Sequence, residues 1–402
     1  MLRKETDMAA LNAPLNRKLR MGLIGGGGHG FIGRVHATAA TLDRRAEIVA
    51  GALSSDPEKS LLYGPEFGLA EDRTYESYEQ LLAQESARDA DDRIDFVSIA
   101  TPNDTHFPIA KAALEAGFHV ICDKPLTTRL TDAEQLAELV EQTGAVFTLT
   151  HNYTGYPLIR QAREMIRQGE LGTIQAVRTH YLQGWLWGLP VDTTPQRGAW
   201  KADPQRAGPS GALADIGTHA YQLIRYTTGL MPAEVSAQLQ SLRSDRTLDD
   251  YGHVLVRFAD QVLGLVTVSQ ITHGQLNDLT LQIDGTLGSL SWRQETPNEL
   301  VLRRFGQPLQ VYERNPMADF TPAAARAASR LPAGHPEAFF EAFANVYRSS
   351  YDQMIAHADG QSVAERDTIF PNVYDGVEGV QFIEQCVASS AENGCWKPLT
   401  AC

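Results

Sequence analysis

The chain has 402 residues, 43% hydrophobic and 21% charged, and carries a formal net charge of −14 from 35 basic and 49 acidic side chains. That length calls for two packed domains, since single domains usually hold roughly 100–200 residues, and the acidic balance excludes nucleic acid as the expected partner. No apolar run nears the roughly 18 residues that would cross a bilayer, and no secretory signal is expected, so membrane and export are set aside.

Residues 1–19 mix charged and small side chains and read as an N-terminal tail. From Arg20 short apolar runs of strand length follow one another: Met21–Ile24, Glu47–Leu53, Tyr78–Ala83, Phe96–Ala100, His119–Cys122 and Val146–Leu149. Helical stretches separate them, among them Pro108–Ala116 and Asp132–Thr143. This β–α alternation predicts an α/β domain over residues 20–150, a Rossmann, doubly wound parallel sheet. Beyond His151 a helix around Tyr156–Gln168 gives way to strands: Ile174–Leu182, Val235–Leu242, His253–Phe258, Val262–Ile271, Leu279–Ile283, Gly288–Trp292 and Leu300–Arg304. Turn pairs such as Asp284-Gly285 predict a second α/β domain, residues 151–402, with a large, mostly antiparallel, open-faced sheet. A sheet face left uncovered by helices favours burial against a second subunit, hence a homodimer or homotetramer. The long loop Trp187–Ser210 has the length of a functional loop, Asn315–Gly334 reads as a surface excursion, and Glu337–Ile355 and Tyr374–Ala391 read as closing helices.

The first strand runs into Gly25-Gly26-Gly27-Gly28-His29-Gly30-Phe31-Ile32-Gly33 and then a helix. Glycines suit that place because the chain must turn tightly and let backbone N–H groups approach a pyrophosphate without a Cβ between them. Strand before and helix after mark a dinucleotide site, and two registers fit: Gly25/Gly27/Gly30 and Gly28/Gly30/Gly33. The second strand ends in Ser54-Ser55-Asp56. Its hydroxyls with Lys59 suit the 2′-phosphate of NADP, whereas Asp56 suits the ribose hydroxyl of NAD, so both cofactors stay open.

Lys124, in Cys122-Asp123-Lys124-Pro125, follows a strand at the edge where ligands of such sheets bind. Asp215 and His219 stand four residues apart, on one face of a helix. Alone, the first reads equally as a surface lysine and the second as a surface ion pair. His180, His253 and His273 have no metal-ligand spacing, and Cys122, Cys386, Cys395 and Cys402 lack disulfide or metal spacing, which fits a reducing, cytoplasmic setting.

Taken in order, these pieces resemble the Gfo/Idh/MocA family of NAD(P)-dependent sugar and polyol dehydrogenases, from Arg20 over nearly the whole chain. The matching residues are the glycine turn with His36, the loop Thr101-Pro102-Asn103-Asp104-Thr105-His106, Asp123-Lys124-Pro125, and Gly211 to His219. The family's lysine motif usually begins with Glu rather than Asp123, and its glycine turn is commonly shorter, so residues near Gly28-His29-Gly30 look like an insertion. The resemblance implies a catalytic trio: His219 as base, Lys124 stabilising the developing alkoxide, and Asp215 orienting the substrate or tuning its neighbours. It places Thr101, Pro102, Asn103 and His106, with Asp123 and Lys124, at the nicotinamide end of the cofactor. Asn152 and Tyr153 at the domain junction, with Trp185 and His335, have the amide, aromatic and imidazole groups that contact a sugar ring. The implied activity is oxidation of a secondary ring hydroxyl of an inositol- or pyranose-like substrate by hydride transfer. A glycosidase that oxidises its substrate transiently, and a non-catalytic cofactor-binding sensor, are the alternatives.

Overall fold

The computed structural model describes residues 17–28, 30–188, 199–359 and 368–399. Residues 1–16 of the expected tail, His29, residues 189–198 of the long loop and Cys402 lie outside the described residues. The first sheet grows from β1 (Leu19–Gly25) through α1 (Phe31–Thr41), β2 (Ala46–Ala52), α2 (Pro57–Tyr63), α3 (Tyr78–Ser86), β3 (Phe96–Ala100), α4 (His106–Glu115), β4 (His119–Cys122), α5 (Leu130–Thr143) and β5 (Phe147–Leu149). Its strands are parallel in the order β2-β1-β3-β4-β5, and a lone bridge, Gly51 to Thr74, extends the β2 edge. The order reverses beside β1, the point where ligands of such sheets bind. β3 is buried along its whole length because helices cover both faces. Tyr78–Ala83, expected as a strand, is helical instead. Ser77 Oγ accepts the Gln80 N–H at 3.3 Å as an N-cap, and Leu81, Leu82 and Glu85 are buried at helical spacing.

The second sheet begins after α6 (Pro157–Arg167) with β6 (Ile174–Leu182). A wide turn, Leu213–Gly217, precedes α7 (Thr218–Thr228), followed by β7 (Pro232–Gln240), β8 (Tyr251–Phe258), β9 (Leu263–Ser269), β10 (Asp278–Gly285), β11 (Ser289–Arg293), β12 (Glu299–Arg303) and β13 (Gln310–Glu313). The chain closes with α8 (Phe339–Ala358), α9 (Val373–Ala391) and β14 (Lys397–Pro398). Nine strands pair in the order β13-β12-β11-β10-β6-β9-β8-β7-β14, antiparallel except between β6 and β9. One face packs on α6, α7 and α9 in a core that holds Ile159, Tyr221, Phe382, Val254 and Val266. Along β8, Val254, Val256 and Phe258 are buried while His253, Leu255 and Arg257 are exposed, the alternation of a sheet with one open face. The stretch 315–334 is anchored more firmly than a surface excursion. Ala325 and Ala328 are buried, and Arg314 at its root pairs with the buried Glu337 at 3.0 Å.

The closing helices reach back across the domain boundary. α8 sets Phe343, Val346, Tyr347 and Tyr351 in one core with Leu19, Met21, Leu23 and Val35. Val373, Val377 and Val380 of α9 pack with Val97, Val120 and Leu149. Tyr347 Oη lies 2.6 Å from His36 Nδ1 and 2.7 Å from Ser98 Oγ, so buried hydrogen bonds tie α8 to α1 and β3. Among the described residues no helix is long and apolar enough to cross a membrane.

Candidate functional site

The glycine turn is built from backbone that other residues adopt poorly. Gly25, Gly26 and Gly28 have φ of 85°, 81° and 63°. A Cβ on Gly25 would fall 2.6 Å from the Ala100 carbonyl oxygen, and one on Gly33 would fall 2.1 Å from the Gly26 Cα. Gly30 is the N-cap of α1. Gly25 and Gly26 therefore make the turn, Gly30 opens the helix, and Gly33 lets α1 lie against the turn. The two registers merge: the start belongs to one and the end to the other. Gly27 N–H donates to Leu53 O at 3.0 Å, and the Tyr63 ring lies against Gly27 and Gly28. What remains is a groove free of Cβ atoms at the first turn of α1, which fits a pyrophosphate. Ile32 packs inward, while Phe31 stays more than half exposed.

At the tip of β2 the acid is already engaged. Asp56 Oδ1 accepts the Lys59 N–H at 3.3 Å as the cap of α2, and its Oδ2 pairs with Lys59 Nζ at 3.1 Å. Ser54 Oγ accepts the Asp56 N–H at 3.1 Å. The tip thus presents Ser54 and Ser55 beside a carboxylate and an ammonium that neutralise each other.

Lys124 leaves the end of β4 and meets the turn before α7. Its Nζ donates to Asp215 O at 2.5 Å and to Asp215 Oδ1 at 3.0 Å. On the other side Lys201 Nζ lies 2.9 and 2.8 Å from the two carboxylate oxygens, and Gln270 Nε2 donates to Oδ2 at 2.8 Å. The turn itself is held by Asp249, which accepts the Gly211 N–H at 2.7 Å and the Leu213 N–H at 2.9 Å. Burial opposes ionisation of Asp215, but the Lys201 and Lys124 ammonium groups outweigh it and hold the carboxyl far below its ordinary range. Burial likewise opposes the charge on Lys124, and Asp215 with Asp123 reverses it, leaving the pKa raised. One helical turn on, burial, Lys124 and His151 push His219 well below the ordinary imidazole range against the pull of Asp215, so the ring is neutral near pH 7. The Tyr153 ring stands edge-on to it, centroids 4.9 Å apart. Tyr153 and Tyr181 hydroxyls are 2.5 Å apart, and Tyr181 Oη donates to Asn277 Oδ1 at 2.7 Å.

Lys124, Asp215, Lys201, His219, Tyr153, Tyr181 and Asn277 line one cleft of about 460 Å³ with Phe31, Gln183, Trp185 and Gln294. Lys124, Asp215, His219, Tyr153 and Trp185, expected from sequence, are all brought to it. His335 and Asn152, also expected, are not brought to it. His335 is exposed in a separate groove beside Asn298 and Arg314, because the segment before α8 runs along the outer end of the second sheet. Asn152 is buried and does not line the cleft. His106 is fully buried, its ring nitrogens 2.8 Å from Pro125 O and 3.0 Å from Thr101 O, and so staples two loops together. Asp123 Oδ1 accepts the Lys124 N–H at 2.9 Å and the Thr150 hydroxyl at 3.0 Å, and so braces the lysine from behind. Thr101 Oγ1 accepts from Thr105 at 2.8 Å, Pro102 precedes the short turn Asn103–Thr105, and Asn103 Nδ2 donates to Ala207 O at 3.0 Å. Tyr181, Gln183, Lys201, Asn277 and Gln294 were not singled out from sequence. They come from β6, the long loop and the ends of β10 and β11, with no motif joining them, and only the loop's length pointed toward Lys201.

Residues 19–151 match the family profile described as oxidoreductase family, NAD-binding Rossmann fold, and residues 159–291 match the GFO/IDH/MocA C-terminal domain. The oxidoreductase YfiI of Bacillus subtilis is 32% identical in an alignment covering 95% of this chain and 97% of that protein. The levoglucosan dehydrogenase of Pseudarthrobacter phenanthrenivorans is 29% identical, covering 94% and 98%. A crystal structure of an inositol dehydrogenase homolog from Azotobacter vinelandii complexed with NAD+ aligns with a TM-score of 0.90 at 36% identity, covering 96% of this chain and 98% of that one. With a glycine turn shaped for a dinucleotide and both domains matched, this chain belongs to the GFO/IDH/MocA family and is an NAD(P)-dependent oxidoreductase.

Proposed function

We propose that this enzyme reversibly oxidises a secondary ring hydroxyl of a cyclic polyol or sugar, inositol- or pyranose-like. One observation carries the proposal: Lys124 and His219 share their cleft with Tyr181, Gln183, Asn277, Gln294 and Trp185. Amides and phenols read hydroxyl groups, and an indole covers the face of a ring. The names of the levoglucosan dehydrogenase and the inositol dehydrogenase homolog support the same substrate class.

A bound nicotinamide supplies the hydride acceptor. The chain's own residues do the rest. Neutral His219 accepts the hydroxyl proton, Lys124 donates a hydrogen bond to the oxygen as alkoxide develops, and Asp215, clasped by Lys201 and Gln270, aims Lys124. The glycine turn with Phe31 and the loop Thr101–Asn103 border the cofactor, and the open face of the second sheet is covered by a second copy of the chain in a homodimer or homotetramer.

A panel of inositols, aldoses and anhydrosugars, assayed with NAD and with NADP by the absorbance of the reduced cofactor, tests the assignment. Reduced cofactor is expected to accumulate in step with ketone product for one substrate class. Cofactor binding without turnover across the panel would overturn it. Lys124→Ala and His219→Ala are each expected to lower kcat by about 10²–10⁴-fold with cofactor affinity largely kept.

A further inference from the structure

We infer that His151 is a positioning residue for this reaction: its Nδ1 accepts the His219 Nδ1 proton and so fixes His219 in the tautomer whose Nε2 lone pair faces the cleft. The inference rests on the proposed role of His219 as base. The two Nδ1 atoms lie 3.3 Å apart, with ring centroids at 5.1 Å and planes at 87°. Two neutral imidazoles joined through these atoms hold one proton between them, so one ring donates and the other accepts. Were His151 the donor, the His219 proton would sit on Nε2 and leave no base in the cleft. With His219 as donor, its Nε2, which has no protein partner among the described residues, is free to take the substrate's hydroxyl proton.

The surroundings favour the accepting role for His151. It is 2% exposed and does not line the cleft, so it acts through His219 and not on the substrate. Burial and the nearby Lys124 ammonium push its pKa down to about 3, against the pull of Asp123, which keeps its lone pair available. Its backbone is pinned: the N–H donates to Leu149 O at 2.9 Å, and the carbonyl accepts the Thr154 N–H at 3.2 Å and the Thr154 hydroxyl at 2.8 Å. The groups that face His219 are Lys124, Lys201 and Asp215 as charges and Tyr153 and Tyr181 as phenols. When the hydroxyl proton arrives on Nε2 and the hydride leaves the same carbinol carbon for the nicotinamide, the carbonyl forms and His219 becomes an imidazolium. Its Nδ1–H then makes a charge-assisted bond to His151, which offsets part of the repulsion from Lys124.

His151→Phe keeps a ring and removes the acceptor, whereas His151→Asn keeps an acceptor oxygen. The Phe variant is expected to lose about 10²-fold in kcat with the KM for cofactor near wild type. The acid limb of its kcat/KM profile moves to lower pH, because the imidazolium has lost the acceptor that stabilised it. His151→Asn is expected to recover most of the kcat and to return the limb toward its wild-type position. Nitrogen NMR of the resting enzyme should show His219 Nδ1 protonated in the wild type and in the Asn variant. A Phe variant with wild-type kcat and limb beside an inactive His219→Ala variant would overturn the role of His151 alone. An active His219→Ala variant would overturn the proposed base itself. If the Phe variant does not fold, the spectrum decides: an unprotonated His219 Nδ1 in the wild type sinks the inference.

Discussion

Gly33 shows how much of the cofactor site rests on the absence of one carbon. With the Gly26 Cα 2.1 Å from the place a Cβ would take, Gly33→Ala must push α1 away from the turn, and isothermal titration should show cofactor affinity falling at least about tenfold, a loss of ~1.4 kcal/mol. Binding at wild-type affinity would disprove that account. His36 is the second single residue with a measurable consequence. Burial, opposed by Asp123 and reinforced by His106, holds its pKa down at about 4, below its ordinary 6.5. The unfolded chain therefore takes up a proton between pH 6.5 and 4 that the folded chain refuses, and His36 costs about 3 kcal/mol of stability over that interval. Its contribution is whole above pH 6.5 and lost as pH falls through the folded value. His119, also held at about 4 by burial, acts in the same direction. Urea unfolding should show stability falling already between pH 6.5 and 5, and His36→Gln should flatten that slope. At this scale the sequence was readable where chemistry is local. Glycines in a turn and Lys124, Asp215 and His219 in short motifs could be picked out, while Lys201, Tyr181 and Asn277 are ordinary residues until the fold brings them to the cleft.

Most helices and strands followed from periodicity; the short edge strands β13 and β14 did not, nor did an apolar run too short to choose. Tyr78–Ala83 has strand length, and what turns it into α3 is the Ser77 cap together with Glu85, whose carboxylate pairs with Arg73 at 2.6 Å beneath the sheet. Long amphipathic segments such as α6 and α9 left less room for error, because many residues must agree on one face. Between elements, a nearly buried pair joins α7 to α9: Arg225 Nε lies 2.5 Å from Glu378 Oε1, and Tyr221 Oη donates to the same oxygen at 2.8 Å. Removing the cation strands a buried carboxylate, so Arg225→Ala is expected to cost about 3–5 kcal/mol in chemical denaturation. A change under about 1 kcal/mol would mean that the carboxylate is better solvated than its burial implies.

For the whole molecule, the open face of the nine-stranded sheet carries the prediction. Leu255 is 48% exposed and Leu263 58% exposed on neighbouring strands, beside Arg257 and His253. Sedimentation is expected to find a dimer or tetramer at micromolar concentration, and Leu255→Lys with Leu263→Lys is expected to shift it toward monomer. Wild-type protein that sediments only as monomer would rule this out. The amino-acid sequence by itself determined the two α/β layers and the dinucleotide turn, because each depends on residues close together in the chain, and its short motifs singled out the proposed catalytic trio by their resemblance to the family. Only the tertiary structure decided that α8 and α9 return to the first sheet, that His106 and Asp123 brace loops, that His335 stands apart, and that Lys201, His151 and the Tyr153–Tyr181–Asn277 chain surround the trio. Those contacts join residues far apart in the chain, and packing two sheets against shared helices, not any local pattern, brings them within hydrogen-bond reach.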